Sequence, residues 1–435
     1  MSNDSRPTGS PMPFWMATLL FFFSGFSALV YELLWMRHLG LILGNTTHAA
    51  TTVLVAYMGG LALGSEYFGR RAAKVLNPLR LFGALEIVIG LYALAAPVLF
   101  DWMQAGYRGA FAHGLESPVI ITSTRFVFAL LILVVPTVCM GGSLPAIAHG
   151  LVRQERRFGA GISRLYGVNT LGAVVGLLAT GFFFIEQFGI HATNLIAAAA
   201  NLAVGLTAVL AGRAAEPEKA AKPEPVPPSA VNRRDTLAVL LGVGVGGFIA
   251  LALEVVWFRA LVLVFGSTTY SFSAMLGVFL AGISLGALAF GWISDRTRRP
   301  LTAFALAEIL IGLYTMFSLR WFNDMPLLLL RFLVDHSFSW PGMMAARFGI
   351  TLLFLLAPTL LMGFAFTVAA RVMRRQTHVS SRAVGAVYAW NTVGGMFGAF
   401  AGGFLLLPLL GAERSLILLG IAAVALGILI ILLST

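Results

Sequence analysis

Charge is scarce in this chain. Of 435 residues, 11% are charged and 59% are hydrophobic, whereas a soluble domain needs about a quarter of its residues charged to cover its surface. That shortage excludes an ordinary cytosolic enzyme, a disordered protein and a small secreted scaffold. Cysteine is scarcer still. Cys139 stands alone in an apolar run, so no internal disulfide can form and the redox compartment stays open. Metal-binding spacings such as His-x-x-x-His and Cys-x-x-Cys are missing, as is a phosphate loop. The seven histidines are scattered, with His48, His113, His191 and His336 in outer loops or at helix ends. No catalytic residue, metal site or cofactor is expected.

What is abundant is apolar sequence. A spanning helix needs about 20 apolar residues to cross about 30 Å of hydrocarbon. Twelve runs reach that length: 14–39, 49–68, 80–103, 123–149, 165–186, 191–212, 236–264, 271–293, 301–321, 346–370, 384–407 and 412–433. The first run ends in Trp35, Met36 and Arg37 instead of a small-residue cleavage site, which predicts a retained helix and not a removed signal peptide. Forty-seven glycines and 34 phenylalanines suit apolar helices that pack closely in lipid. The expectation is an all-α integral membrane protein with a lipid bilayer as its first partner.

The basic residues set an orientation. With the N-terminus inside, the inner segments hold Arg6; Arg70, Arg71, Lys74 and Arg80; Arg153, Arg156, Arg157 and Arg164; Arg213, Lys219, Lys222, Arg233 and Arg234; Arg296, Arg298 and Arg299; and Arg371, Arg374, Arg375 and Arg382. Eight fall on the outer half: Arg37, Arg108, Arg125, Arg259, Arg320, Arg331, Arg347 and Arg414. That asymmetry predicts cytoplasmic termini in an inner, or cell, membrane. It also explains the net charge of +11 without nucleic acid, because the basic residues are spread over short loops. The stretch Arg213–Asp235 is rich in proline and mixed charge and reads as a flexible tether.

The two sides of that tether are copies. Adding 222 carries Gly25, Ala28, Glu32, Trp35 and Arg37 onto Gly247, Ala250, Glu254, Trp257 and Arg259. It carries Gly60, Gly64, Glu86 and Tyr92 onto Gly282, Gly286, Glu308 and Tyr314, and Pro136 and Thr137 onto Pro358 and Thr359. Near the end it carries Tyr166, Asn169, Thr170, Gly172 and Gly176 onto Tyr388, Asn391, Thr392, Gly394 and Gly398. Six helices per copy is an even number, so both copies insert the same way up, as parallel repeats about the membrane normal. The expected division is 1–212 for the first six-helix repeat, 213–235 for a cytoplasmic linker and 236–435 for the second.

Twelve helices in two parallel repeats around a charged linker resemble the major facilitator superfamily. Members carry G-x-x-x-D-R-x-G-R-R between the second and third helices of a half. Gly291, Asp295, Arg296, Arg298 and Arg299 match it loosely, while Gly69-Arg70-Arg71 keeps the basic residues and loses the aspartate. A narrower resemblance is to the membrane region of fused major-facilitator/spermidine-synthase proteins, through SGFSALVYELLWMRHLGLILGNTTHA and YGVNTLGAVVGLLATGFFFIEQFG. In that family a soluble aminopropyltransferase domain usually follows. No hydrophilic stretch here is long enough for one, so the expectation is either a stand-alone membrane relative or a piece of a longer fused protein.

Glu32 and Glu254 are the leading site candidates, because an intramembrane carboxylate is expensive. Helical spacing puts Gly25, Ala28, Glu32 and Trp35 on one stripe, repeated by Gly247, Ala250, Glu254 and Trp257. Facing carboxylates with indoles suit an amine or other cation; the alternative is a structural ion pair holding the halves in register. Asn169 and Asn391 sit at the same interface or face the cavity. Glu86 and Glu308, near the inner surface, are expected to pair with Arg70, Arg71, Arg296 or Arg298 in a gate latch that also involves Asp295, or simply to anchor topology. Arg37, Arg125, Arg259 and Arg347 are expected to snorkel outward. Gly60/Gly64, Gly172/Gly176 and their copies are expected to pack helices that meet across the halves, and Pro136 and Pro358 to kink theirs. The function so implied is alternating-access movement of a small, cationic, polyamine-like solute, without enzyme activity. The alternative is a non-catalytic membrane module serving a separate aminopropyltransferase-like enzyme.

Overall fold

The computed structural model describes residues 12–43, 47–112, 118–151, 158–214, 233–266, 269–322, 324–335, 339–377 and 380–434. Arg6, Arg153, Arg156, Arg157, most of the 213–235 linker, His113 and His336 lie outside them. The described residues contain no strand. In a bilayer, backbone polar groups must bond within their own segment, and an apolar chain with few prolines satisfies that demand as helix. The helices are α1 (Phe14–Leu43), α2 (Thr47–Ala72), α3 (Pro78–Ala112), α4 (Pro118–Leu151), α5 (Phe158–Ala179), α6 (Ile185–Ala214), α7 (Arg233–Phe265), α8 (Thr269–Arg296), α9 (Pro300–Ser318), α10 (Met325–Asp335), α11 (Trp340–Thr377), α12 (Ser380–Ala401) and α13 (Leu407–Ser434).

Nine apolar helical stretches among the described residues are long enough to cross a membrane, and large side chains such as Leu63, Leu131, Leu263, Phe397 and Leu432 cover the outside. The run 49–68 lies in α2, which falls outside those nine. Two of the nine run for 54 and 53 residues. Each is broken at one repeated place: wide turns at Thr180–Phe184 and Gly402–Leu406, then Gly189 with φ 73° and Gly411 with φ 75°. Only glycine takes that backbone cheaply, so each stretch is two rods that part at Gly189 and Gly411, a few residues inside α6 and α13.

The packing repeats as well. α1 lies on α5, α2 on α4 and α3 on α6; α7 lies on α12, α8 on α11 and α9 on α13. The first half of the chain (α1–α6) meets the second (α7–α13) mainly where α2 lies on α12 and α5 on α8, with α4 also touching α12 and α5 touching α11. Between α2 and α12, Gly69 and Gly385 bring two backbones together, each occupying space that the other's Cβ would need. The Gly-x-x-x-Gly pairs do something other than expected. Gly60 and Gly64 face Thr137 and Val138 of α4, and Gly172 and Gly176 face Phe22 and Phe26 of α1. They pack helices inside a half, because the faces turned across it belong to Gly69, Gly167, Gly291 and Gly385.

Pro136 cannot give an N–H to the Ile132 carbonyl four residues back. The Tyr92 hydroxyl on α3 donates to that carbonyl at 2.5 Å, so α4 keeps its proline without an orphaned acceptor. In the second half Tyr314 reaches the carbonyl of Leu353.

Candidate functional site

A cavity of about 220 Å³ lies between the halves. α1 contributes Gly25, Ala28 and Glu32, and α7 contributes Leu251 and Glu254. α5 and α12 contribute a matched set: Tyr166, Asn169 and Thr170 from one, Tyr388, Asn391 and Thr392 from the other. Glu32, only 9% exposed, and the half-buried Glu254 thus share one wall. Their stripe reaches the cavity because Gly25 leaves no side chain between α1 and α5. A Cβ there would strike the Asn169 carbonyl, and one at Gly247 would strike that of Asn391. Asn169 is held by its Nδ2 donating to the Phe21 carbonyl at 2.9 Å.

The tryptophans are elsewhere. Trp35 is 2% exposed and stacks on Tyr31 with centroids 5.2 Å apart; Trp257 is 1% exposed within the apolar core. Neither lines the cavity. Three residues past the glutamate is about 60° round the helix and one turn along it, enough to carry each indole off the cavity face. The expected Glu–Trp clamp is therefore reduced to its carboxylates, and aromatic character comes from Tyr57, Tyr166 and Tyr388. Phe366 of α11 joins the last two, stacked on Tyr166 at 4.2 Å and edge-on to Tyr388 at 6.2 Å.

The expected latch is also different. Glu86 is fully buried, and its Oε1 accepts from Ser24 at 2.7 Å and Ser143 at 2.8 Å, its Oε2 from Asn201 Nδ2 at 2.5 Å. Arg70 pairs one turn back with Glu66, at a groove shared with Lys74 and Arg382. Arg71 is exposed, and Arg296 lies over the Trp292 ring at 4.9 Å. The Asp295 side chain lies outside the described residues. Glu308, 5% exposed, lines a second cavity with Gly246, Ala365 and Asn391. Both carboxylates point into the bundle, where α3 and α9 meet their partners, while the arginines extend to the aqueous end as long charged side chains do.

Arg37 and Arg259 are exposed, as expected. Arg347 is not: 8% exposed, its Nη2 donates at 3.0 Å to the carbonyl of Phe265. That carbonyl ends α7, and a cation is stabilised at a helix C-terminus.

Several residues had not stood out in the sequence: Ser24, Ser143, Asn201, Phe366, and the Tyr270 hydroxyl that reaches Glu186 between α8 and α6. For the first three a signal existed. They are among the positions where the 222 offset loses a polar residue, as Ser65 and Asn194 also do. Gly282-Ile283-Ser284-Leu285-Gly286 spells G-x-S-x-G, yet it lies inside α8, and Ser284 donates to the Gly167 carbonyl at 2.7 Å. It is a helix–helix contact without the strand-to-helix turn of a nucleophile elbow. No group of three or more His, Cys, Asp or Glu side chains that could hold a metal ion occurs among the described residues.

Two kinds of similarity bear on this arrangement. A bacterial homologue of the iron transporter ferroportin, in its outward-facing state, is 13% identical with a TM-score of 0.62, over 97% of this chain and 98% of that one. The human organic anion transporter MFSD10 (TETRAN) is 12% identical with a TM-score of 0.60, over 98% and 100%. At such identities the likeness shows the fold alone, the helical fold of those two transporters. No family model matches the chain. In sequence, Polyamine aminopropyltransferase 2 of Streptomyces coelicolor (strain ATCC BAA-471 / A3(2) / M145) is 29% identical over 189 residues, 42% of this chain and 31% of that protein. The chain matches about a third of that relative's length.

Proposed function

We propose that this chain is a membrane carrier that moves a small cationic, polyamine-like solute by alternating access. In this reading twelve spans form two parallel six-helix repeats, 1–212 and 236–435, joined by a cytoplasmic linker at 213–235, with both termini on the cytoplasmic side of the inner membrane. The observation that carries it is the shared cavity: Glu32 and Glu254, from different halves, line one space with Asn169 and Asn391. Two carboxylates in a wall of tyrosines and amides attract a cation, and amides and hydroxyls can accept from ammonium N–H groups. A carrier of this fold would rock its halves about the α2–α12 and α5–α8 contacts. Trp35 and Trp257 have no part in binding, and the gating role of Glu86, Glu308, Arg70, Arg71, Asp295 and Arg296 is not retained.

The test is uptake of labelled putrescine and spermidine into liposomes holding the purified chain. Saturable uptake that falls in Glu32→Gln and Glu254→Gln, with the variants still folded, supports the reading; equal uptake in both variants and the native chain sinks it.

The partial likeness to an aminopropyltransferase favours a second reading, a non-catalytic membrane module that docks or serves a separate enzyme of that kind. On either reading the purified chain itself does not transfer an aminopropyl group from a sulfonium donor. Turnover above a denatured control would overturn both.

A further inference from the structure

The 222 offset keeps Glu86 and Glu308 but not their surroundings. Glu86 receives hydrogen bonds from Ser24, Ser143 and Asn201; the positions one offset later are Gly246, Ala365 and Ala423. Every donor has become a residue with no polar side chain. Among the described residues no hydrogen bond or ion pair reaches Glu308, although it is 5% exposed. It lines a small cavity of about 40 Å³ between α7, α9, α11 and α12, walled mainly by Val243, Phe304, Ile311, Ala365 and Phe366. Asn391 is the polar residue of that wall, and it belongs to the wall of the central cavity as well.

No other titratable side chain lines this space. On α7, Glu254 faces the central cavity, and Arg234, Asp235 and Arg259 lie towards the helix ends. α11 carries Arg347 near its start and Arg371, Arg374 and Arg375 near its end; α12 has Arg382 in its first turn and Tyr388 in the central cavity. α13 has Glu413 and Arg414 near its start, and Tyr314 of α9 bonds to Leu353. A carboxylate so placed has no counter-charge. Buried charges persist only when paired, and otherwise neutralise. A metal cation would require several oxygen ligands, whereas this wall offers one carboxyl and one amide side chain. A proton requires one oxygen.

We propose that Glu308 is a proton-binding site of the second half, distinct from the solute cavity and communicating with it past Asn391. Binding places the proton on a carboxylate oxygen of Glu308, and release returns it to the aqueous phase of the central cavity. Glu86, the same residue in the first half, is held by its three donors and serves as a fixed acceptor. The inference does not depend on which solute, if any, the carrier moves.

The experiment uses the purified full chain in lipid nanodiscs with no solute, and reads the carbonyl band of protonated carboxyl groups by infrared difference spectroscopy between acid and alkaline buffers. A component that titrates in the native chain and disappears in Glu308→Gln is expected. A second variant, Ala365→Ser, adds one hydroxyl where Ser143 stands beside Glu86 and spares the carboxyl. It is expected to weaken proton binding by about tenfold, since a hydrogen bond to a charged group favours the ionised form. Superimposable spectra for the native chain and Glu308→Gln would overturn the proposal. So would an Ala365→Ser titration identical to the native one, even if Glu308→Gln fails to fold.

Discussion

The first and second halves of this molecule share a helix plan and differ in how they treat one buried carboxylate. In the first, Glu86 ties α1, α4 and α6 to α3 through Ser24, Ser143 and Asn201. In the second, Glu308 occupies the same repeat position against glycine and alanine, and a cavity remains where the donors would be. Duplicated architecture therefore does not imply duplicated chemistry. Close-packed contacts such as Gly25 on Asn169 and Gly247 on Asn391 are kept in both copies, because backbones that nearly touch tolerate no other residue. Polar partners inside a bundle are optional, and losing them turns a structural anchor into a reactive group. The ends of the third helices differ too: α3 continues unbroken to Ala112, whereas α9 stops at Ser318 and a 3₁₀ turn leads to the separate helix α10.

The sharpest way to break this comparison is to remove each carboxylate and measure unfolding in detergent. Glu86→Leu leaves Ser24 and Asn201 without their acceptor, at about 1–3 kcal/mol each, while Ser143 keeps the Cys139 carbonyl at 3.3 Å, so a loss of about 2 kcal/mol or more is expected. Glu308→Leu removes a polar group that had no partner, and is expected to be neutral or stabilising. Equal losses would show that the two sites are alike after all.

A smaller effect is expected where the halves act together. Glu32→Gln and Glu254→Gln should each reduce amine uptake about tenfold, or ~1.4 kcal/mol, with unfolding unchanged. A response confined to one of them would mean that the cavity is served from one side.

The tryptophans give a smaller effect again. Trp35 and Trp257 bury indole N–H groups that have no hydrogen-bond partner, so Trp→Phe loses packing but also removes an unsatisfied donor. A change of about 1 kcal/mol in stability and an unaltered half-saturation concentration for uptake are expected at both positions. A raised half-saturation at either would return the indole to the binding site.

The smallest effect belongs to an exposed contact without a repeat. Tyr270 on α8 reaches Glu186 on α6, and an exposed hydrogen bond contributes about 0.5 kcal/mol. Tyr270→Phe should leave binding intact and widen the distance distribution between spin labels placed on α6 and α8. An unchanged distribution would remove that contact from any role in closing the cavity.

Much of the helix plan was legible beforehand. The kinks at Gly189 in α6 and Gly411 in α13 fall between apolar runs that the sequence already separated at 186–191 and 407–412. α10 was not anticipated, because eleven residues with Arg331 and Asp335 inside them are too short and too charged to register as a membrane run. The candidate carboxylates were found for the reason that makes them rare, their cost in lipid. Their neighbours were not, since a serine or asparagine in an apolar helix can bond its own backbone and need mean nothing.

Sequence alone determined that the chain is helical, apolar and duplicated, and that two repeated pairs of glutamates, 32/254 and 86/308, lie in its apolar runs, because hydrocarbon thickness, backbone hydrogen bonding and a constant offset are one-dimensional facts. Only the tertiary structure decided which of those glutamates meet. The pairs 32/254 and 86/308 look equivalent along the chain, yet one pair shares a cavity and the other is split between a hydrogen-bonded anchor and an empty pocket. The reason is physical: a carboxylate's chemistry is set by the atoms within about 3 Å of its oxygens, and those atoms come from helices more than fifty residues away.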